Sequence, residues 1–328
     1  SKKDYLQDGN NTQLLISYYG LTYPLGLPNA IDYIRNLDRE ISSYRGDKGK
    51  DMLYFPDIKY SRYASHKDYV LSVLNESFTE NTFTIKLQPF VRKVDRHIIG
   101  AELLLRINDE YRKMEINTAE LIQVAAENGK ISLITDSLLN LIGKLYQDNG
   151  SKLFKKYGLA RLSCNTNYSY FQNNKEFFDK INNLLETYQM PADLLTFEIA
   201  EAEIAAHYEE FKEITRKILR SDITLLCDNY TGAYLSVNKI KELGFKGIKI
   251  DRSIISKVND DPIKYNATKA IIDVAEEQGL NVILVGVETK VQYSMLKDIR
   301  KTFEYQGYYF FKPLSADELL YTLQKDIR

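Results

Sequence analysis

Glu102, Asn165, Glu198, Asp228, Lys249, Asp251, Glu288 and Gln306 each stand within or at the end of an apolar run, where burial selects against a polar side chain. Three carboxylates and an amide gathered in one mouth repel one another unless a cation sits among them, and hard oxygen donors suit Mg²⁺, Mn²⁺ or Ca²⁺. Taken singly, an acidic residue at a strand end is ordinarily a helix cap or a solvated loop residue, Lys249 an ion-pair partner and Gln306 a cap. Recurrence at one strand end after another argues for a shared site. Cys164 and Cys227 each precede one of these residues, so strand alternation turns them toward the helical layer as small buried apolar residues. His66, His97 and His207 are scattered, and neither cysteine has ligand spacing to them, which argues against a Cys/His zinc site. In "LLCDNYTG" Asp228 is followed by its amide analogue Asn229, so a site that needed two adjacent carboxylates would be one charge short.

The elements that must position these residues follow a βαβα alternation. Strand-like runs cover 82–91, 97–107, 160–167, 193–201, 223–230, 247–254, 281–288 and 303–311, with amphipathic stretches such as "TAELIQVAAENG", "YEEFKEITRKILR" and "NATKAIIDVAEEQG" between them. Asn117 with Glu120 reads as a capping box, and Gly244 and Gly279 as helix stops. The fold expected is α/β, a (β/α)8 TIM-like barrel whose strand C-terminal ends meet at one face. Only "RKVDR" joins the first strand to the second, whereas a parallel crossover needs about a dozen residues or more, so that pair is expected to be antiparallel. Ahead of the barrel, "TQLLISYYGLTYP" reads as a strand or hairpin and "NAIDYIRNLDREISSYRG" as a helix. "FPDIKYSRYAS" reads as a linker, and "SHKDYVLSVLNESF" as a second helix begun by Ser65 and Asp68. Together these make a small N-terminal α+β lobe.

Lys and Arg number 44 against 45 Asp and Glu in 328 residues, so bulk charge points to neither a nucleic-acid nor an anionic-membrane surface. Two cysteines argue against a disulfide framework. No apolar stretch is long enough to cross a bilayer, and "SKKDYLQDGN" lacks a signal-peptide core. A cytoplasmic chain, or the soluble part of a membrane-anchored one, is expected.

From about residue 80 to 328 the motifs resemble the EAL domain, the bacterial phosphodiesterase module that opens cyclic di-GMP to linear pGpG. "AELLLR" stands where that family has EALLR, which implies Glu102 as metal ligand and Arg106 as phosphate contact. "LSCN" implies a metal-binding Asn165. "FEIAE" implies Glu198 on the metal and Glu201 in support of the adjoining loop. "IKIDRS" implies Lys249 orienting the attacking water and Asp251 beside the metals, and "YQGYYFFKPL" carries Gln306. Gln88 in "LQPFV" and Glu318 in "PLSADEL" match guanine-contacting positions. Glu288 remains in "VGVE", but Val285 stands where the family has a metal-associated Glu, and "DNYTGAYLS" replaces DDFGTGYS, with Asn229 for the second Asp. The resemblance therefore implies one complete Mg²⁺ or Mn²⁺ site, of Glu102, Asn165, Glu198 and Asp228, and a second that has lost two formal charges. Residues 1–60 resemble the closing third of a GGDEF domain without its signature loop, 61–80 read as a linker helix and 81–328 as the barrel.

Three functions are compatible with this reading. The favoured one is a cyclic di-GMP-binding regulatory module, inactive or weakly active, that signals through a homodimer or a partner domain. The second is a working phosphodiesterase, supported by Lys249 and the first metal site, and the third is a protein-interaction scaffold without nucleotide.

Overall fold

The structure, a computed structural model, describes residues 5–7, 10–12 and 66–326, apart from 110–113, 173 and 300. The hairpin, helix and linker expected between residues 13 and 65 lie outside the described residues, as does most of the GGDEF-like stretch. The chain divides into two compact units, Ser1–Glu76 and Ser77–Arg328. In the first, Tyr5–Gln7 pairs antiparallel with Asn10–Thr12.

In the second unit eight strands close into a barrel. They are β1 Thr84–Arg92, β2 Ile98–Arg106, β3 Arg161–Asn165, β4 Leu195–Ala200, β5 Thr224–Tyr230, β6 Gly247–Ile250, β7 Asn281–Val285 and β8 Glu304–Gln306. All eight correspond to runs read from the sequence. Each pairs with its successor, and β8 closes on β1. The first strand is antiparallel to both of its neighbours, and the other pairs are parallel. The short β1–β2 connection turns back through Arg96, in the left-handed region at φ 61°, while the Asp95 carboxylate accepts from the His97 N–H at 3.1 Å. Thr84 lies opposite Arg106, so the start of β1 shares a face with the C-terminal ends of the other strands.

Several runs stop earlier than their apolar content suggests. The run from 281 ends at Val285 because Gly286 turns to φ 84°. That from 303 ends at Gln306, where a Cβ on Gly307 would lie 2.2 Å from the Val287 carbonyl oxygen. The run from 247 ends at Ile250 because Asp251 caps a new helix, Arg252–Ile255, by accepting from the Ser253 N–H at 2.7 Å. Gly244 and Gly279, at φ 85° and 66°, close helices as their sequence positions imply.

Inside the barrel Phe90, Leu226 and Ile283 form an apolar plug, with Ile99 and Val285 packed against it. Below the plug, at the N-terminal ends of β3 and β8, Arg161 pairs with Glu304, and its guanidinium lies 4.7 Å from the centre of the Phe90 ring. On the outer side of the barrel, Phe197 of β4 and Phe171, Phe177, Phe211 and Phe245 beyond it are fully buried and touch ring to ring, joining β4 to the surrounding helices. Among the described residues no helix is long and apolar enough to cross a membrane.

Candidate functional site at the barrel mouth

The register of the sheet decides which polar side chains meet. Gln88 on β1 lies opposite Glu102 on β2, and Asn165 at the end of β3 lies opposite Glu198 on β4. Between β5 and β6 the register slips. Ile248 faces Cys227 and Ile250 faces Tyr230, so Asp228 and Asn229 together oppose Lys249. This bulge is made by Asn229 at φ 50°, a conformation that asparagine tolerates better than most residues. It leaves Asn229 exposed and Asp228 turned toward Lys249.

The result is one buried network centred on a lysine. The Lys249 ammonium donates to Glu102 Oε2 at 2.8 Å and Glu198 Oε2 at 2.5 Å, and Asp228 Oδ1 is 3.5 Å away. Asn165 Nδ2 donates to Glu102 Oε1 at 2.7 Å and Gln306 Nε2 to Glu102 Oε2 at 2.8 Å. Ser163, two residues before Asn165 and hence on the same face, donates its hydroxyl to Glu198 Oε1 at 2.5 Å. The Phe90 ring lies 5.7 Å from the lysine nitrogen and forms an apolar wall to the network. Sequence reading gathered Glu102, Asn165, Glu198, Asp228, Lys249 and Gln306, but it missed Ser163, whose signal was its strand parity with Asn165.

One ammonium faces three carboxylates, and burial makes the sharing unequal. Burial works against ionised Glu102, but Lys249, Gln306 and Asn165 outweigh it and hold its carboxyl below the usual range. Glu198 is pushed up to about 8 by burial and by the Glu102 charge, against the pull of Lys249. Asp228 is raised chiefly by burial. Lys249 is itself disfavoured as a cation by burial, but Asp228, Glu102 and Glu198 together keep it charged. The two glutamates move in opposite directions because both need the same lysine. Glu102, with two further donors, keeps the charge.

Among the described residues no three Asp, Glu, His or Cys side chains are grouped so as to hold a metal ion. The oxygen donors have the right chemistry for a hard dication, but as arranged they are closed upon Lys249, and Asn165 turns its amide nitrogen toward Glu102. This arrangement does not fit a divalent ion.

The remaining predicted site residues have other partners. Glu201 is buried and accepts from the Thr231 N–H and hydroxyl and from the Tyr234 and Leu235 N–H groups, fastening the loop after β5. Glu288 is bound by Arg252 at 2.9 Å. Asp251 serves as the helix cap described above. Arg106 donates to the Leu105 carbonyl at 2.8 Å and the Thr118 hydroxyl at 3.1 Å. Glu318 accepts from the Ser315 N–H at 2.6 Å at the start of the last helix and lies 3.7 Å from Lys86 on β1. Gln88 is half-buried.

An eight-stranded barrel with one reversed strand, and with acids, amides and a lysine joined at the strand ends, defines a (β/α)8-type domain with its polar site at the mouth. The sequence profile of the EAL domain matches residues 72–313, and the chain belongs to the EAL domain family. Among its relatives, the "Probable cyclic di-GMP phosphodiesterase PdeG" of Escherichia coli K12 is 26% identical over 233 residues, 71% of this chain and 45% of that protein. The chain thus spans less than half of PdeG. The cyclic di-GMP phosphodiesterase RocR of Pseudomonas aeruginosa is 23% identical over 314 residues, 93% of this chain and 74% of RocR. Among solved structures, the FimX EAL domain from Pseudomonas aeruginosa bound to c-di-GMP superposes with a TM-score of 0.64 at 23% identity, covering 76% of this chain and 98% of that one. At that identity the likeness is one of fold.

Proposed function

We propose that this EAL domain binds cyclic di-GMP at the barrel mouth and serves as a regulatory module that hydrolyses the nucleotide weakly or not at all. The observation that carries the reading is Val285. It occupies a position where the family resemblance implies a carboxylate ligand, and its side chain packs on the apolar plug of Phe90, Leu226 and Ile283. Asn229, at the other altered position, is exposed on the bulge and brings no formal charge. Relatives named as phosphodiesterases and the nucleotide complex of the FimX domain support cyclic di-GMP as the ligand. Signalling would then pass through a homodimer contact or a neighbouring domain.

A working phosphodiesterase is the second reading, favoured by the gathering of Glu102, Asn165, Glu198, Asp228 and Lys249 into one network. Mixing the purified protein with cyclic di-GMP and Mn²⁺ and measuring both bound nucleotide and pGpG separates the two. Binding without pGpG supports the module. Brisk pGpG formation supports the enzyme, and no binding at all leaves a protein-interaction scaffold.

Arg106 is already oriented by Leu105 and Thr118, and a guanidinium makes charge-assisted contacts to phosphate. Arg106→Ala is therefore expected to weaken cyclic di-GMP binding by roughly 1.5–3 kcal/mol in a calorimetric titration. Equal affinities for the variant and the parent would remove Arg106 from the ligand site.

Restoring the altered positions tests the assigned defect. Asn229→Asp with Val285→Glu is expected to raise pGpG formation above either single change, and non-additively, because both carboxylates would serve one corner of the site. A double variant that binds cyclic di-GMP but forms no more pGpG than the parent would place the defect in the altered loop, Thr231 to Ser236, instead.

A further inference from the structure

At the end of the barrel opposite the mouth, one buried cation is built to reach inward. Register places Phe90 on β1, Gly100 on β2 and Arg161 on β3 in a single row across the sheet. Gly100, the middle member, has no side chain to block the arm of Arg161 as it crosses toward Phe90. A Cβ there would lie 2.8 Å from Arg161 Cγ and 3.4 Å from Phe90 Cδ2. The guanidinium carbon lies 4.7 Å from the centre of the Phe90 ring, and the Lys249 ammonium lies 5.7 Å from the centre of that same ring. Phe90 is fully buried, so both cations meet it away from water, where attraction between a cation and an aromatic ring is strongest. Glu304 engages both terminal nitrogens of Arg161, while among the described residues nothing accepts from its buried Nε. The ring is therefore a second determinant of where the guanidinium lies.

We propose that Arg161 is a positioning residue for the mouth. From the far end of the barrel it steadies Phe90, and Phe90 holds the Lys249 ammonium in the place where it keeps the mouth receptive to an anionic nucleotide. The effect on ligand rests on the reading of the mouth as a cyclic di-GMP site, whereas the effect on Lys249 does not. Glu102, Glu198 and Asp228 disfavour a phosphodiester, and Lys249 is the cation that offsets them. That offset is largest where water is excluded, and Phe90 is the apolar wall beside the ammonium. Without the guanidinium the ring loses a charged neighbour and gains room to turn, which opens the ammonium to water. The strands carry the same link. Two residues along β3 from Arg161, on the same face, Ser163 donates to Glu198, and two residues along β8 from Glu304, Gln306 donates to Glu102.

The test compares the parent with R161M/E304L, which leaves no unpaired charge, and with R161K, which keeps a cation beside the ring. F245L, in the aromatic cluster on the outer side of the barrel, controls for loss of stability alone. Two quantities are read on the folded proteins: exchange of the Lys249 ammonium protons by NMR, and affinity for cyclic di-GMP by calorimetry. R161M/E304L is expected to exchange those protons at least about fivefold faster and to bind the nucleotide at least about fivefold more weakly, the lower end of the usual coupling between sites. R161K should restore most of both, and F245L should change neither. Parental exchange or parental affinity in R161M/E304L overturns the proposal, as does a F245L variant that is equally impaired or a R161K variant that recovers nothing. If the parent itself does not bind cyclic di-GMP, the ligand reading of the mouth fails, and ammonium exchange alone decides whether Arg161 positions Lys249. Should R161M/E304L not fold, R161Q carries the test, because it keeps a donor for Glu304 but brings no cation to the ring.

Discussion

Arg161→Met is expected to lower the stability of the barrel by about 3–5 kcal/mol, the scale on which breaking a buried ion pair leaves a charge without a partner. Glu304 is 5% exposed, and its principal partner is the guanidinium, with Nη1 donating to Oε1 at 3.1 Å and Nη2 to Oε2. Asn281 Nδ2, at 3.4 Å, is a weak substitute. Methionine retains part of the packing that Arg161 provides over Phe90, so the loss should be mainly electrostatic. Pairing Arg161→Met with Glu304→Leu should recover most of it, because two apolar side chains of similar volume leave no charge behind. Chemical denaturation of the parent, the single variant and the double variant measures this. A single variant within about 1 kcal/mol of the parent would mean that Glu304 takes up a proton or a water without penalty.

The second large effect is expected from Glu201→Ala. One carboxylate, 1% exposed, accepts from Thr231 N and Oγ1 at 2.8 and 2.9 Å and from Tyr234 N and Leu235 N at 3.0 Å each. Removing it strands three backbone donors, each costing about 1–3 kcal/mol if it stays buried, so a loss of about 3 kcal/mol or more follows unless the loop moves out to water. Hydrogen exchange distinguishes the two results. Loosening predicts faster exchange at Thr231, Tyr234 and Leu235 with Phe197 and Leu103 unaffected. Unchanged exchange at the loop would show that Glu201 is not its anchor. Glu201→Gln, which keeps one accepting oxygen, should fall between.

The barrel was legible because its strands are short apolar runs separated by helices with clear caps and stops. The reversed first strand was legible because five residues cannot carry a parallel crossover. What sequence could not supply was register. Nothing in "LLCDNYTG" announces that Asn229 adopts a left-handed conformation, yet that one torsion turns Asp228 toward Lys249. The lysine's central place was hidden for the same reason, since its three acids lie 147, 51 and 21 positions away in sequence and meet only when β2, β4, β5 and β6 are aligned. The Arg161–Glu304 pair was not legible because each charge opens its strand 143 positions from the other and only closure of the barrel brings them together. Strand ends were overrun where a glycine or a capping aspartate, not a loss of apolar residues, ended the strand, as at Gly286, Gly307 and Asp251.

The reversal of β1 also determines at which rim the chain enters the barrel. The helix His66–Glu80 ends three residues before Thr84, and Thr84 opens its strand on the rim opposite Arg106. Three residues span at most roughly 10 Å, so the tether has little slack. Had β1 run parallel to the others, that tether would attach at the far rim, a nine-residue strand or about 30 Å away from the mouth. Instead, residues 77–83 lead directly into the strand that carries Lys86 and Gln88, with Gln88 in register opposite Glu102. The point where the chain enters the barrel and the end that carries the polar network thus lie on one rim, a few residues apart along β1.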